Sequence, residues 1–123
     1  MKKSDKNQLD LMLVEGFSIS SIFSGIRKSF KNDLVLILFD FPTIVVGCFT
    51  KNGFAAAPVI VSKERSKRFL TPSLGALVIN SGCANAGTGE QGFRDCHELT
   101  NILSQKLNLP SEKILLFSTG PIM

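Results

Sequence analysis

LGALVINSGCANAGTGEQGFRDCHELTNILSQKLNLPSEKILLFS, residues 74–118, reads as strand, loop, helix and strand. Leu74 to Asn80 is an apolar run of strand length, and Lys113 to Ser118 is another. Between them lies a small-residue loop. Phe93, Cys96, Thr100, Leu103 and Leu107 then recur at three- and four-residue spacing, while Arg94, Asp95, Glu98, Asn101 and Gln105 fall elsewhere on the wheel. That pattern predicts an amphipathic helix. Thr88 and Gln91 fit a capping box, with Glu90 near the positive helix end. Asn108 and Pro110 end the helix, and Thr119-Gly120-Pro121 turns sharply after the second strand.

Upstream, Asp33 to Asp40 (DLVLILFD) and Thr43 to Thr50 (TIVVGCFT) are two more strand-length runs, expected to pair as a hairpin around Phe41-Pro42. Lys51-Asn52-Gly53 is turn chemistry. Residues 54–69 are open between a short helix begun by Pro58 and an extended segment. Thr71-Pro72-Ser73 reads as a loop. Gly16 to Ser29 mixes glycine, serine and apolar residues without a helical period, so it reads as irregular or extended. Residues 1–15 are expected to form a flexible N-terminal segment. Four apolar strands with one strong helix would leave a sheet face and an edge uncovered. The expected outcome is self-association of the purified chain, checked by light scattering; a monodisperse monomer would contradict it.

A hydrophobic content of 44% and a charged content of 20% exclude a disordered tail. Ten Phe with no Trp or Tyr should be mostly core or hidden at a contact. The net charge of +4 comes without a basic stripe interleaved with stacking side chains, which argues against nucleic-acid binding. No apolar run approaches a membrane span or a secretory signal. Cys48, Cys83 and Cys96 are odd in number and form no CxxC pair. A cytoplasmic protein with reduced thiols, no membrane partner and no metal is therefore expected.

Gly87-x-Gly89-x-x-Gly92 is a formal dinucleotide fingerprint, but its first glycine comes seven residues after Asn80 and Glu112 is badly placed for a ribose contact. Tight loop packing is the competing explanation. His97, the only histidine, lies in mid-helix without an orienting acid and reads as a surface residue. The cysteines read as small core hydrophobes, with Cys83 set apart by its place in the loop. Asn80, Ser81 and Asn85 form a polar cluster of the kind that holds a loop's shape. Ser118-Thr119-Gly120 follows an apolar strand; a plain turn is the default, and a pair of oxyanion donors is the alternative.

Taken together these segments resemble the ArgJ family of ornithine acetyltransferases/N-acetylglutamate synthases. Gly16-Phe17 and Gly25-Ile26-Arg27-Lys28 are similar to its GF…GIK opening, Asp33 to Ile37 to a DLALI-type strand, and Gly47 to Asn52 with Ala56 to Val59 to GVFTxN…AAPV. Asn80 to Gly92 resembles NSGNANAxTGxxG, and Ser118-Thr119-Gly120 resembles STGVIG. Cys83 stands where the family usually has Asn; Pro121 and Met123 replace the Val and second Gly of STGVIG.

The resemblance implies an α+β fold, part of a layered αββα sandwich of the DmpA/ArgJ-like kind, with residues 16–123 as the N-terminal portion of an α chain. It implies acetyl transfer from N2-acetylornithine, or from acetyl-CoA, to glutamate in arginine biosynthesis, with no cofactor. The nucleophile would be a threonine that self-cleavage exposes at the start of a β chain, beyond this stretch. Thr119 and Gly120 would then be the oxyanion donors. A hetero-oligomer with the β chain, and inactivity without it, are the corresponding expectations. A non-catalytic remnant or binding module on the same scaffold is the alternative, and a dinucleotide-binding domain a third.

Overall fold

The structure, a computed structural model, describes residues 14–67 and 73–122. The expected flexible segment lies almost wholly outside them, as do Thr71 and Pro72 of the expected loop. Strand β1 (Phe17–Ile22) and strand β2 (Leu34–Thr43) are followed by helix α1 (Ala57–Ser66), strand β3 (Leu74–Ser81), helix α2 (Gly89–Leu107) and strand β4 (Ile114–Thr119). The strands form one sheet in the order β1-β2-β3-β4. β1–β2 and β2–β3 are antiparallel, whereas β3 and β4 run parallel with α2 as the crossover. The mixed sheet with helices is α+β, as expected.

The hairpin expectation fails. β2 runs straight through Pro42, and its two edges are taken by β1 and β3, which leaves residues 44–50 no strand to pair with. Pro42 is tolerated because the β2–β3 register shifts between Leu38 and Thr43, where a missing N–H interrupts no ladder bond. Within the described part of the open 54–69 stretch the helix is formed, over Ala57–Ser66: Pro58 sits in the first turn of α1, where its lack of an N–H is harmless. Asn108 adopts a left-handed conformation (φ 53°) as the C-terminal cap of α2.

Strand alternation divides the side chains between two faces. Ala76, Val78, Ile114 and Leu116 meet Ala57 and Val61 of α1 and Cys96 of α2, with Leu34, Leu36 and Leu38 packed against them. The opposite face carries Ile19, Ile37, Phe39, Leu77, Leu115 and Phe117; only Val45 from the 44–50 segment packs there, against Leu74 and Leu115. Ile19 and Phe117 remain exposed, so one sheet face is bare over the described residues. The phenylalanines therefore depart from expectation: none among the described residues is buried, and Phe23, Phe30, Phe41, Phe54 and Phe117 are exposed.

Of the sheet's two edges, the one at β4 is half closed. The Ser62 hydroxyl donates to the Leu116 carbonyl (2.8 Å) and accepts from the Leu116 N–H (3.0 Å). Arg65 donates to the Ile114 carbonyl at 2.7 Å and to the Thr100 hydroxyl at 3.1 Å. Helix α1 thus stands in for a fifth strand, but only as far as Leu116.

Candidate functional site

Beyond Leu116 the edge of β4 opens, and three backbone segments converge there. Gly82 donates to the Thr119 carbonyl at 2.9 Å, and Ala84 donates to the Pro121 carbonyl at 3.2 Å. The 82–84 loop is thereby zipped to the end of β4. No peptide bond is cis, and across a trans peptide the C=O and N–H point in opposite directions. Because the Thr119 carbonyl faces Gly82, the Gly120 N–H faces away from β3, out of the open edge. Leu115, Phe117 and Thr119 alternate onto the bare face, so the Thr119 side chain lies on that side.

Gly120 is required by geometry. Its φ is +141°, and a Cβ there would meet Cys83 N at 2.5 Å and Gly82 C at 2.6 Å. Gly82, at φ +107°, is packed in turn: a Cβ would meet Arg27 Cγ at 2.7 Å and Ile26 Cγ2 at 3.1 Å. The 24–27 segment is held by Asp33. That carboxylate accepts from the Ser24 N–H (2.6 Å), the Ser24 hydroxyl (2.7 Å) and the Arg27 N–H (2.9 Å). Burial pushes the Asp33 carboxyl up, but the backbone N–H groups of Arg27, Ser24 and Ile26 and the Ser24 hydroxyl together outweigh it and bring it down to about 2. With the folded value below the ordinary 3.8, the contribution is full above that value and fades as pH falls toward about 2. Thermal unfolding of the chain between pH 5 and pH 2 is expected to lose this component, and Asp33→Asn to flatten that part of the profile; an unchanged profile would contradict the assignment.

The sequence places Thr119 and Gly120 correctly at the end of a strand, and both are exposed. A groove of about 280 Å³ lies along the same edge, lined by Thr50, Pro58, Ala84, Phe117 and Ser118 among others; neither Thr119 nor Gly120 lines it. A second, largely apolar cavity of about 620 Å³ lies between α2 and the sheet, walled by Asn80, Cys83, Asn85, Cys96, Leu99 and Ser118. The polar cluster does hold the loop, as expected. Asn80 Nδ2 donates to the Cys83 carbonyl (2.9 Å), and Asn85 Nδ2 donates to the Gly92 carbonyl (3.1 Å).

The capping-box expectation fails in its hydrogen bonds. Thr88 is the residue before α2, but its hydroxyl donates to Asn85 Oδ1 (2.6 Å) and caps no helix N–H. The same pair explains the glycine fingerprint: a Cβ on Gly92 would collide with the Thr88 hydroxyl and Asn85 Oδ1. The loop is filled by its own side chains, which is the packing explanation and leaves no pyrophosphate cradle at Gly92. His97 is exposed. Of the cysteines only Cys96 is buried, where burial pushes its thiol up; Cys48 is exposed, contrary to expectation, and Cys83 half-buried. Asp33 and Ser62 are the residues sequence reasoning missed. Both look like ordinary boundary or surface residues until their distant partners are known.

Among the described residues no group of His, Cys, Asp and Glu has metal-ligand geometry, and no helix is long and apolar enough to cross a membrane. The sequence model of the ArgJ family matches residues 18–123. The arginine biosynthesis bifunctional protein ArgJ of Dehalococcoides mccartyi is 44% identical over 110 residues, which cover 88% of this chain and 26% of that protein. The crystal structure of the ArgJ protein of Bacillus halodurans superposes with a TM-score of 0.79 at 30% identity, covering 88% of this chain and 55% of that one. Ornithine acetyltransferase of Mycobacterium tuberculosis, solved as a complex with ornithine, gives 0.82 at 31% identity, covering 89% and 58%. The chain spans about a quarter of the length of the curated relatives it matches.

Proposed function

This chain belongs to the ArgJ family, and we propose that it supplies the oxyanion donors of an acetyltransferase whose nucleophile is carried by the remainder of the protein. The observation that supports this most is the direction of the Gly120 N–H, which leaves the sheet through the one part of the β4 edge that α1 does not cover. In the proposed reaction a threonine of the remainder attacks the acetyl carbonyl of N2-acetylornithine. A C–O bond forms, and the carbonyl oxygen takes up negative charge between the Gly120 N–H and the Thr119 hydroxyl. The C–N bond then breaks, and ornithine leaves with the proton that the threonine's own α-amine had accepted from its hydroxyl; such an amine, with an unperturbed pKa of about 7.7–8.0, suits that task. Glutamate attacks the acetyl-threonine ester in the reverse sense. The relative solved with ornithine favours an amino-acid substrate of this kind.

The departures from the family pattern at Pro121 and Cys83 fall where they do least harm to this scheme. Pro121 contributes only its carbonyl, which accepts from Ala84, and lacks an N–H that the proposed hole does not use. Cys83 meets Gly120 and Asn80 through backbone atoms. The 123-residue chain alone is expected to transfer no acetyl group, and a complementary C-terminal piece bearing the threonine to restore transfer. Thr119→Ala should then lower the restored rate about 10²–10³-fold. Undiminished turnover in that variant would exclude the donor assignment.

A further inference from the structure

The Gly120 N–H is useful only if its direction is fixed, and the 82–84 loop that fixes it contains Gly82 at φ +107°, the residue type with the least backbone restriction. Something else must hold this loop. The Ser118 hydroxyl donates to Asn80 Oδ1 at 2.5 Å, and Asn80 Nδ2 donates to the Cys83 carbonyl at 2.9 Å. Asn80 and Ser118 are register partners on neighbouring strands, so this side-chain pair sits directly before the zipped segment. From Asn80 the loop is folded back at Cys83, and the Gly82 and Ala84 N–H groups then grip the carbonyls of Thr119 and Pro121.

We infer that Asn80 is a positioning residue for acetyl transfer: its carboxamide clamps the 81–84 loop onto the end of β4 and thereby sets the direction of the Gly120 N–H. The inference rests on the oxyanion assignment above. The chemistry selects a carboxamide, because one end must accept from a hydroxyl while the other donates to a carbonyl. A carboxylate accepts but does not donate, and a methyl does neither. When the clamp is lost, the Thr119 carbonyl is free to tilt, and the planar peptide tilts the Gly120 N–H by the same angle.

The test has two arms. Hydrogen exchange on the 123-residue chain is followed by NMR for Asn80→Ala, Ser118→Ala and Ser118→Thr. The same variants are then assayed in the enzyme restored with the C-terminal piece. In Asn80→Ala the Gly82 and Ala84 amides should exchange on the order of tenfold faster, while those of Val78 and Ile79 stay protected. The kcat should fall by roughly ten- to a hundredfold with KM for N2-acetylornithine nearly unchanged. Ser118→Ala should shift both readouts in the same direction by less, and Ser118→Thr, which keeps the hydroxyl, should restore them. Unchanged exchange at Gly82 and Ala84 in both Asn80→Ala and Ser118→Ala overturns the clamp. Faster exchange with unchanged kcat, in a system where Thr119→Ala is impaired, overturns its positioning role alone. Full activity in Thr119→Ala overturns the oxyanion assignment and with it the purpose given to the clamp.

Discussion

Gly120→Ala is expected to lower acetyl transfer by the restored enzyme on the order of 10²–10³-fold while leaving the chain folded. The cause is steric. At φ +141° an L side chain is strained, and its Cβ would stand 2.5 Å from Cys83 N and 2.6 Å from Gly82 C. Both obstacles are backbone atoms, so no rotamer change relieves the clash. Residues 119–121 must lift off the 82–84 loop, which breaks the Gly82 and Ala84 hydrogen bonds and turns the Gly120 N–H from its outward direction. The damage stays local because the segment is exposed and follows the last rung of the ladder. Circular dichroism should be close to wild type while kcat collapses. Near-normal turnover would mean that the direction of this N–H does not matter to the chemistry.

Ser62→Ala is expected to cost about 2–6 kcal/mol of unfolding free energy, measured by urea denaturation. Ser62 is 3% exposed, and its single hydroxyl serves both polar groups of Leu116, as acceptor from the N–H and donor to the carbonyl. Alanine would leave both buried without a partner, at about 1–3 kcal/mol each. Ser66→Ala is the matched control on the same helix: its hydroxyl bonds the Lys63 carbonyl at the surface, so a change within about 0.5 kcal/mol is expected. Equal effects in the two variants would show that α1 does not substitute for a strand at this edge.

Much of the fold was legible in short windows. Apolar runs located three of the four strands of the sheet, β2, β3 and β4, or their cores, whereas the serine-rich FSISSI of β1 gave only an extended tendency. Helical spacing located α2, missing Gly92 and Leu99 from its buried side. Within the candidate site, Thr119 and Gly120 were found by a motif, and Asn80 and Asn85 as a polar cluster. The hairpin around Pro42 was misread because an apolar run signals a strand without saying whether an edge is available to it. The capping box was misread because Thr88 has two possible partners, and the closer is a side chain that the loop's own fold brings beneath it.

Local chemistry alone was enough to specify β2, β3, β4 and α2 and the end of α2 at Asn108, since each depends on residues within a few positions of one another, and the order of short motifs along the chain was enough for the membership of the family. The tertiary structure alone decided which strands pair, that Asp33 secures the 24–27 segment, that Ser62 and Arg65 close half of the β4 edge, and which way the Gly120 N–H points. The physical reason is one of distance along the chain. A hydroxyl that meets a backbone 54 residues away, or a glycine whose missing side chain makes room for a loop nearly 40 positions earlier, carries no mark of its partner until the sheet has brought the two together.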